Sequence, residues 1–386
     1  MMKQPSATRT LARESRQITY TGFLLLIVFT MFFQYIWPFS KALQWGLQSG
    51  LIWLWVLSRV HQQLELNRAS VQQAVYDHLG WANRLTILRG FLIALCGGFI
   101  FQSNLSKIIL ILPALSYFFA AIIDRIDGYI ARKSRQESLL GTKLDIEYDA
   151  LGLLIAPILA VWIGQIHWTY LSVSLAYYLF QWGLYWRKRQ ELPVFQLPVN
   201  MSRRAIAGFQ MGFLAVVLWP ILAPPATIVA GAAFMLPLLI GFLIDWLTVS
   251  GRLNLDSDKS KAFFAQTHIL IHNILLPALR IMILALLLLT LGSNAVFSSL
   301  VNGIEFGNLI QIVILLFPAL MILFGLNGRL FAVILSCLLA WFYLSYPMQI
   351  HDALLLAAVI WIMQLGTGKY SLWLWDDKWV NRYDGA

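Results

Sequence analysis

Four of the twelve aspartates in this 386-residue chain, Asp124, Asp127, Asp145 and Asp149, fall within 26 residues. Asp124 and Asp127 are three apart, and Asp145 and Asp149 are four apart, so in helical segments each pair presents both carboxylates on one face. A hairpin between the two segments would bring all four together, and that much like charge at low dielectric requires cations. Hard oxygen donors with no His or Cys close by favour Mg²⁺ or Mn²⁺ over zinc. A pair of such ions about 4 Å apart is a common clamp for displacement at phosphorus. Between the pairs, Gly128 clears space for a ligand, Arg132 offers a planar fork to phosphate, and Ser138 adds a hydroxyl. The competing reading, salt bridges in a charged loop, needs no fixed spacing.

The elements that must position these residues are transmembrane helices. The chain is 59% hydrophobic and 12% charged, with a mean hydropathy of +0.71, whereas a soluble domain carries about twice that charge. Apolar stretches near 20–37, 43–59, 86–103, 107–124, 146–164, 168–186, 205–222, 226–248, 270–291, 307–325, 329–346 and 351–366 predict about twelve spans. The ninth is the least regular, because Pro277 and Arg280 lie within it, and ten or eleven spans are the alternatives. The basic stretch Lys3 to Arg16 before the first span, without a following cleavage site, reads as an uncleaved anchor. With both termini cytoplasmic, most Lys and Arg residues fall inside, so the net charge of +10 is a topology signal and not a nucleic-acid footprint. The expected location is the inner or plasma membrane, with the aspartates on the cytoplasmic side. Cys96 and Cys337 lie in apolar segments and read as packing residues. The tail from Tyr370 to Tyr383 reads as an interfacial segment.

The arrangement Asp124-x2-Asp127-Gly128-x2-Ala131-Arg132-x8-Gly141-x3-Asp145-x3-Asp149 resembles the signature of the CDP-alcohol phosphotransferase superfamily at every fixed position. Asn83-x2-Thr86-x2-Arg89 resembles the entry to the family's first core helix. The resemblance covers roughly residues 77–250. It implies an all-α membrane bundle with a six-helix core, preceded by an extension (1–76) with two spans and followed by further spans and a tail (251–386). The segment from Arg203 and Arg204 departs from the Gly-Lys-x-Lys-Thr form of phosphatidylglycerophosphate synthases.

Carried onto this chain, the resemblance makes Asp124, Asp127, Asp145 and Asp149 ligands of two Mg²⁺ ions, and Asp149 also the base for the acceptor hydroxyl. It assigns Asn83, Thr86, Gly128, Arg132 and Ser138 to the CDP substrate and implies a homodimer. Lys143, Arg189 and Arg204 are the basic residues expected to hold a phosphorylated acceptor. The expected reaction transfers a phosphatidyl group from CDP-diacylglycerol to a small polar alcohol, glycerol 3-phosphate first among them, and releases CMP. Headgroup transfer from CDP-choline or CDP-ethanolamine to a lipid alcohol, and a phosphatidylinositol-phosphate-type synthesis, are the alternatives. A transporter is the rival of another class, but no repeated halves are visible and the charged cluster sits at a span end.

Overall fold

The computed structural model describes residues 5–134, 136–197, 201–254, 257–293, 306–373 and 375, with backbone alone at 5–8, 201–204 and 306–308. Arg135 and most of the tail beyond Trp373 lie outside the described residues. The fold is all-helical. Among the described residues, extended pairing is limited to one isolated bridge between Leu326 and Trp373.

Twelve helices are described, one for each predicted span: α1 (Pro5–Gln34), α2 (Phe39–Gln63), α3 (Gly80–Gly97), α4 (Lys107–Ser134), α5 (Leu139–Trp162), α6 (Leu171–Arg189), α7 (Met201–Val217), α8 (Ala226–Val249), α9 (Asp258–Ser293), α10 (Phe306–Phe324), α11 (Gly328–Phe342) and α12 (Ile350–Leu365). Four stretches are long and apolar enough to cross a bilayer by length and composition: Arg9–Gln34, α4, α8 and α9. Local signals set the ends. Ser138 caps α5 by accepting from Gly141 N at 3.0 Å. Gly164 (φ +77°) and Gly251 (φ +73°) follow the C-caps of α5 and α8 in the left-handed conformation that a β-carbon disfavours.

The described chain forms two compact units, Met1–Gly164 with Leu214–Pro220, and Gln165–Phe213 with Ile221–Ala386. In the first, α3 is the hub, packed on α2, α4 and α5. At 28 residues, α4 runs about 42 Å, longer than a hydrocarbon core of about 30 Å. Its acidic end therefore reaches the interface when Lys107 marks the other side.

In the second unit, α12 packs on α8, α9 and α11. The irregular ninth span is one continuous helix with a π-turn at Ile271–Leu275, just before Pro277. Wider winding there accommodates the ring that ordinary i, i−4 bonding would exclude. Arg280 is buried, and its guanidinium donates to the carbonyls of Ile322 (3.0 Å) and Lys369 (3.0 Å), among others. Those backbone acceptors solvate the charge inside the bundle.

Candidate active site

Three helices of the first unit build the site. The α3 sequence repeats polar groups at Asn83, Thr86 and Arg89, a spacing that holds them on one face. The guanidinium of Arg89, only 1% exposed, projects from that face to the ends of α4 and α5. It pairs with Asp124, donates from Nη1 to Asp145 Oδ1 at 2.9 Å, and donates from Nη2 to the Asp145 carbonyl at 2.9 Å. Nη2 also stands 3.1 Å from Asp149 Oδ1. One cation thus sits among three carboxylates, which leaves the cluster strongly anionic.

Asp124, Asp145 and Asp149 each bring an oxygen to within 4.8 Å of the others. The structure therefore gathers three of the four predicted aspartates. Asp127 takes a different place: it is buried and accepts from Thr86 Oγ1 at 2.8 Å. The Thr86 hydroxyl, reaching across from α3, holds Asp127 apart from the other three. The buried Asp149 Oδ1 faces Arg89 Nη2 but accepts no hydrogen bond among the described residues, so its lone pairs are not spent on a protein donor. Three convergent carboxylates around a single cation fit a hard divalent ion such as Mg²⁺.

The remaining predicted site residues divide by environment. Asn83 and Ser138 are buried and bonded to each other, with Asn83 Nδ2 donating to Ser138 Oγ at 3.0 Å and to Asn67 Oδ1 at 2.9 Å. This network locks the start of α5 to α3. Gly141 completes it, because a Cβ there would lie 2.6 Å from Asn83 Oδ1. Arg132 is exposed, and its guanidinium folds back over Gly128, where a Cβ would stand 3.5 Å from Nη1. The pair leaves an open cationic edge beside Asp127.

Lys143 is exposed on the first turns of α5, two residues before Asp145. Arg189 is exposed at the end of α6, in the second unit. The side chain of Arg204 lies outside the described residues.

Two contacts were not expected from the motif. Glu147, between Asp145 and Asp149, accepts both arms of Arg59 from α2, at 2.9 Å from Nε and 2.8 Å from Nη2, and Gln63 Nε2 adds a third bond at 3.0 Å. The next residue, Tyr148, donates its hydroxyl to the Val56 carbonyl at 3.0 Å. Helix α2 thus grips the back of the turn whose front carries the aspartates. The odd placement of Glu147 inside an acidic motif was the available signal, but its partner lies 88 residues away.

Carboxylates clustered at helix ends, a buried arginine among them and apolar helices around them define a multi-pass membrane enzyme of the phosphotransferase type. Residues 79–249 match the family model CDP-alcohol phosphatidyltransferase, a family of transferases, and the match supports that superfamily for this segment. Comparisons with curated proteins and with solved structures give no match. Helices α1, α2 and α9 to α12 lie outside the matched segment.

Proposed function

We propose that this chain transfers the phosphatidyl group of CDP-diacylglycerol to a small polar alcohol, glycerol 3-phosphate being the leading acceptor, with release of CMP. The observation that carries this reading is the convergence of Asp124, Asp145 and Asp149 where the end of α4 meets the start of α5, around the single guanidinium of Arg89. Greasy chains stay in the bilayer there while the cytidine head and a water-soluble acceptor arrive from the cytoplasmic side.

In this mechanism Asp149 takes the proton of the acceptor hydroxyl as its oxygen attacks the phosphorus on the lipid side of the pyrophosphate. The bond from that phosphorus to the bridging oxygen breaks, and CMP carries the electron pair away. An alcohol is a poor nucleophile at neutral pH, so a positioned carboxylate is needed. Two Mg²⁺ ions held by Asp124, Asp145 and Asp149, with Asp127 beside them, would polarise the phosphoryl oxygens and neutralise the leaving phosphate. Arg89 holds the three carboxylates in register, and Thr86 fixes Asp127. Asn83 and Ser138 shape the cytidine side by holding α3 to α5, while Gly128 and Arg132 form the edge that meets the pyrophosphate. Lys143 is the acceptor-side cation nearest in sequence to the aspartates.

The test is CMP release by the purified protein with CDP-diacylglycerol and a panel of acceptors. Release that depends on glycerol 3-phosphate supports the assignment. Release only with CDP-choline or CDP-ethanolamine and diacylglycerol reverses the direction of transfer.

A further inference from the structure

The segment between α2 and α3, residues 64–79, precedes the matched family segment except for its last residue, and it runs against the loop that joins the two halves of the aspartate motif. A 3₁₀ turn, Leu64–Leu66, leads into Asn67 (φ −73°, ψ 65°), the centre of an inverse γ-turn in which Arg68 N donates to the Leu66 carbonyl at 2.7 Å. Asn67 is fully buried. Both ends of its amide are used: Nδ2 donates to the His78 carbonyl at 2.8 Å, and Oδ1 accepts from Asn83 Nδ2 at 2.9 Å. Its carbonyl accepts from Tyr76 N at 2.8 Å, which closes the segment on itself.

From this closed segment two bonds reach the start of α5. The Arg68 carbonyl accepts from Leu139 N at 2.9 Å, and that amide, the first of the helix, is one that a helix cannot satisfy internally. The Tyr76 hydroxyl donates to the Glu137 carbonyl at 3.4 Å. Glu137 and Leu139, the residues flanking the Ser138 cap, are thus held by the segment, while Ser138 is held through Asn83, the partner of Asn67. Asp145 follows Leu139 by less than two turns of the same helix, and Asp149 by less than three. A shift of the anchored end is therefore passed on to both carboxylates.

We propose that residues 64–79 are a strap that sets Asp145 and Asp149 in place to receive a divalent cation, with Asn67 as its positioning residue. The inference rests on the metal-dependent reading of the site given above, and the strap acts through the start of α5.

Leu139→Pro isolates the link. Ser138 is extended (φ −134°, ψ 147°), as a residue before proline must be, and proline suits the first position of a helix. The variant loses the bond to Arg68 while α5 keeps its own. Thermal unfolding of the full chain across a Mg²⁺ titration, without substrate, provides the test, because an ion that binds the folded state raises Tm. Asn67→Ala and Leu139→Pro should each raise by about tenfold the Mg²⁺ concentration at which Tm begins to climb, the lower end of the loss when groups that orient a metal ligand are removed. CMP release at limiting Mg²⁺ should fall in parallel and recover as Mg²⁺ is added.

A segment that served folding alone would lower Tm by the same amount at every Mg²⁺ concentration. That result in folded Leu139→Pro would overturn the proposal even if Asn67→Ala failed to fold, and so would a wild-type Tm indifferent to Mg²⁺. A wild type stabilised by Mg²⁺ that releases no CMP would contradict the proposed transfer instead, and the shift between variants would still decide the role of the strap.

Discussion

Arg89 Nη2 stands 3.1 Å from Asp149 Oδ1, yet that oxygen accepts no hydrogen bond, whereas Asp124 and Asp145 are both bonded to the same guanidinium. Asp149 is thus held by attraction without a donor occupying its lone pairs. Asp149 is therefore the carboxylate least committed to Arg89 by hydrogen bonding, and the proposal that it serves as the base draws on this asymmetry together with its position at the end of the motif.

Replacing Arg89 should expose how much the cluster depends on one cation. Arg89→Ala leaves three carboxylates crowded without their shared partner, and breaking a buried pair of this kind costs about 3 kcal/mol or more. A lowered Tm that recovers partly as Mg²⁺ is added is the expected result. Arg89→Lys should recover little activity, since an ammonium cannot span Asp124, Asp145 and the Asp145 carbonyl as a planar fork does. A Tm insensitive to Mg²⁺ in the alanine variant would separate Arg89 from the metal ligands.

Thr86 carries the hydroxyl that satisfies buried Asp127. Thr86→Val keeps the shape and removes the donor, which should destabilise the protein by about 1–3 kcal/mol, while Thr86→Ser retains the bond and most of the activity. Thermal unfolding of the two variants side by side checks this. Equal stability of the valine and serine forms would show that Asp127 does not rely on Thr86.

The clamp between Arg59 and Glu147 gives α2 a role in catalysis without touching substrate. Arg59→Glu and Glu147→Arg, each alone, should lower kcat by about tenfold or more at little change in KM, because small displacements of catalytic groups are costly. The double exchange should restore much of the loss. Single variants with unchanged kcat, or a double variant no better than either, would make the clamp a matter of assembly only.

Much of this site was legible in the sequence because its chemistry is local. The i+3 and i+4 spacings place each aspartate pair at a helix end, and the i, i+3, i+6 series Asn83, Thr86, Arg89 marks one face of α3. The twelve apolar stretches likewise correspond to the twelve described helices. Spacing could not separate Asp127 from its neighbours, since the difference comes from Thr86 approaching across 41 residues of chain. Nor could it show Ser138 and Asn83 spending their polar groups on each other, across 55 residues. Arg280 looked too costly for a span because its acceptors are backbone carbonyls of distant segments, which leave no trace in residue identity. The same holds for Glu147 and Arg59.

The central claim is that Asp149 accepts the acceptor's proton within a metal-binding carboxylate cluster. Asp149→Asn nearly preserves shape while removing both the charge and the basicity. In a CMP-release assay with CDP-diacylglycerol, glycerol 3-phosphate and Mg²⁺, the folded variant should lose at least about a hundredfold in rate. The wild type should fall silent in EDTA and recover with Mg²⁺. Wild-type turnover by Asp149→Asn, or CMP release indifferent to chelation, would contradict the account.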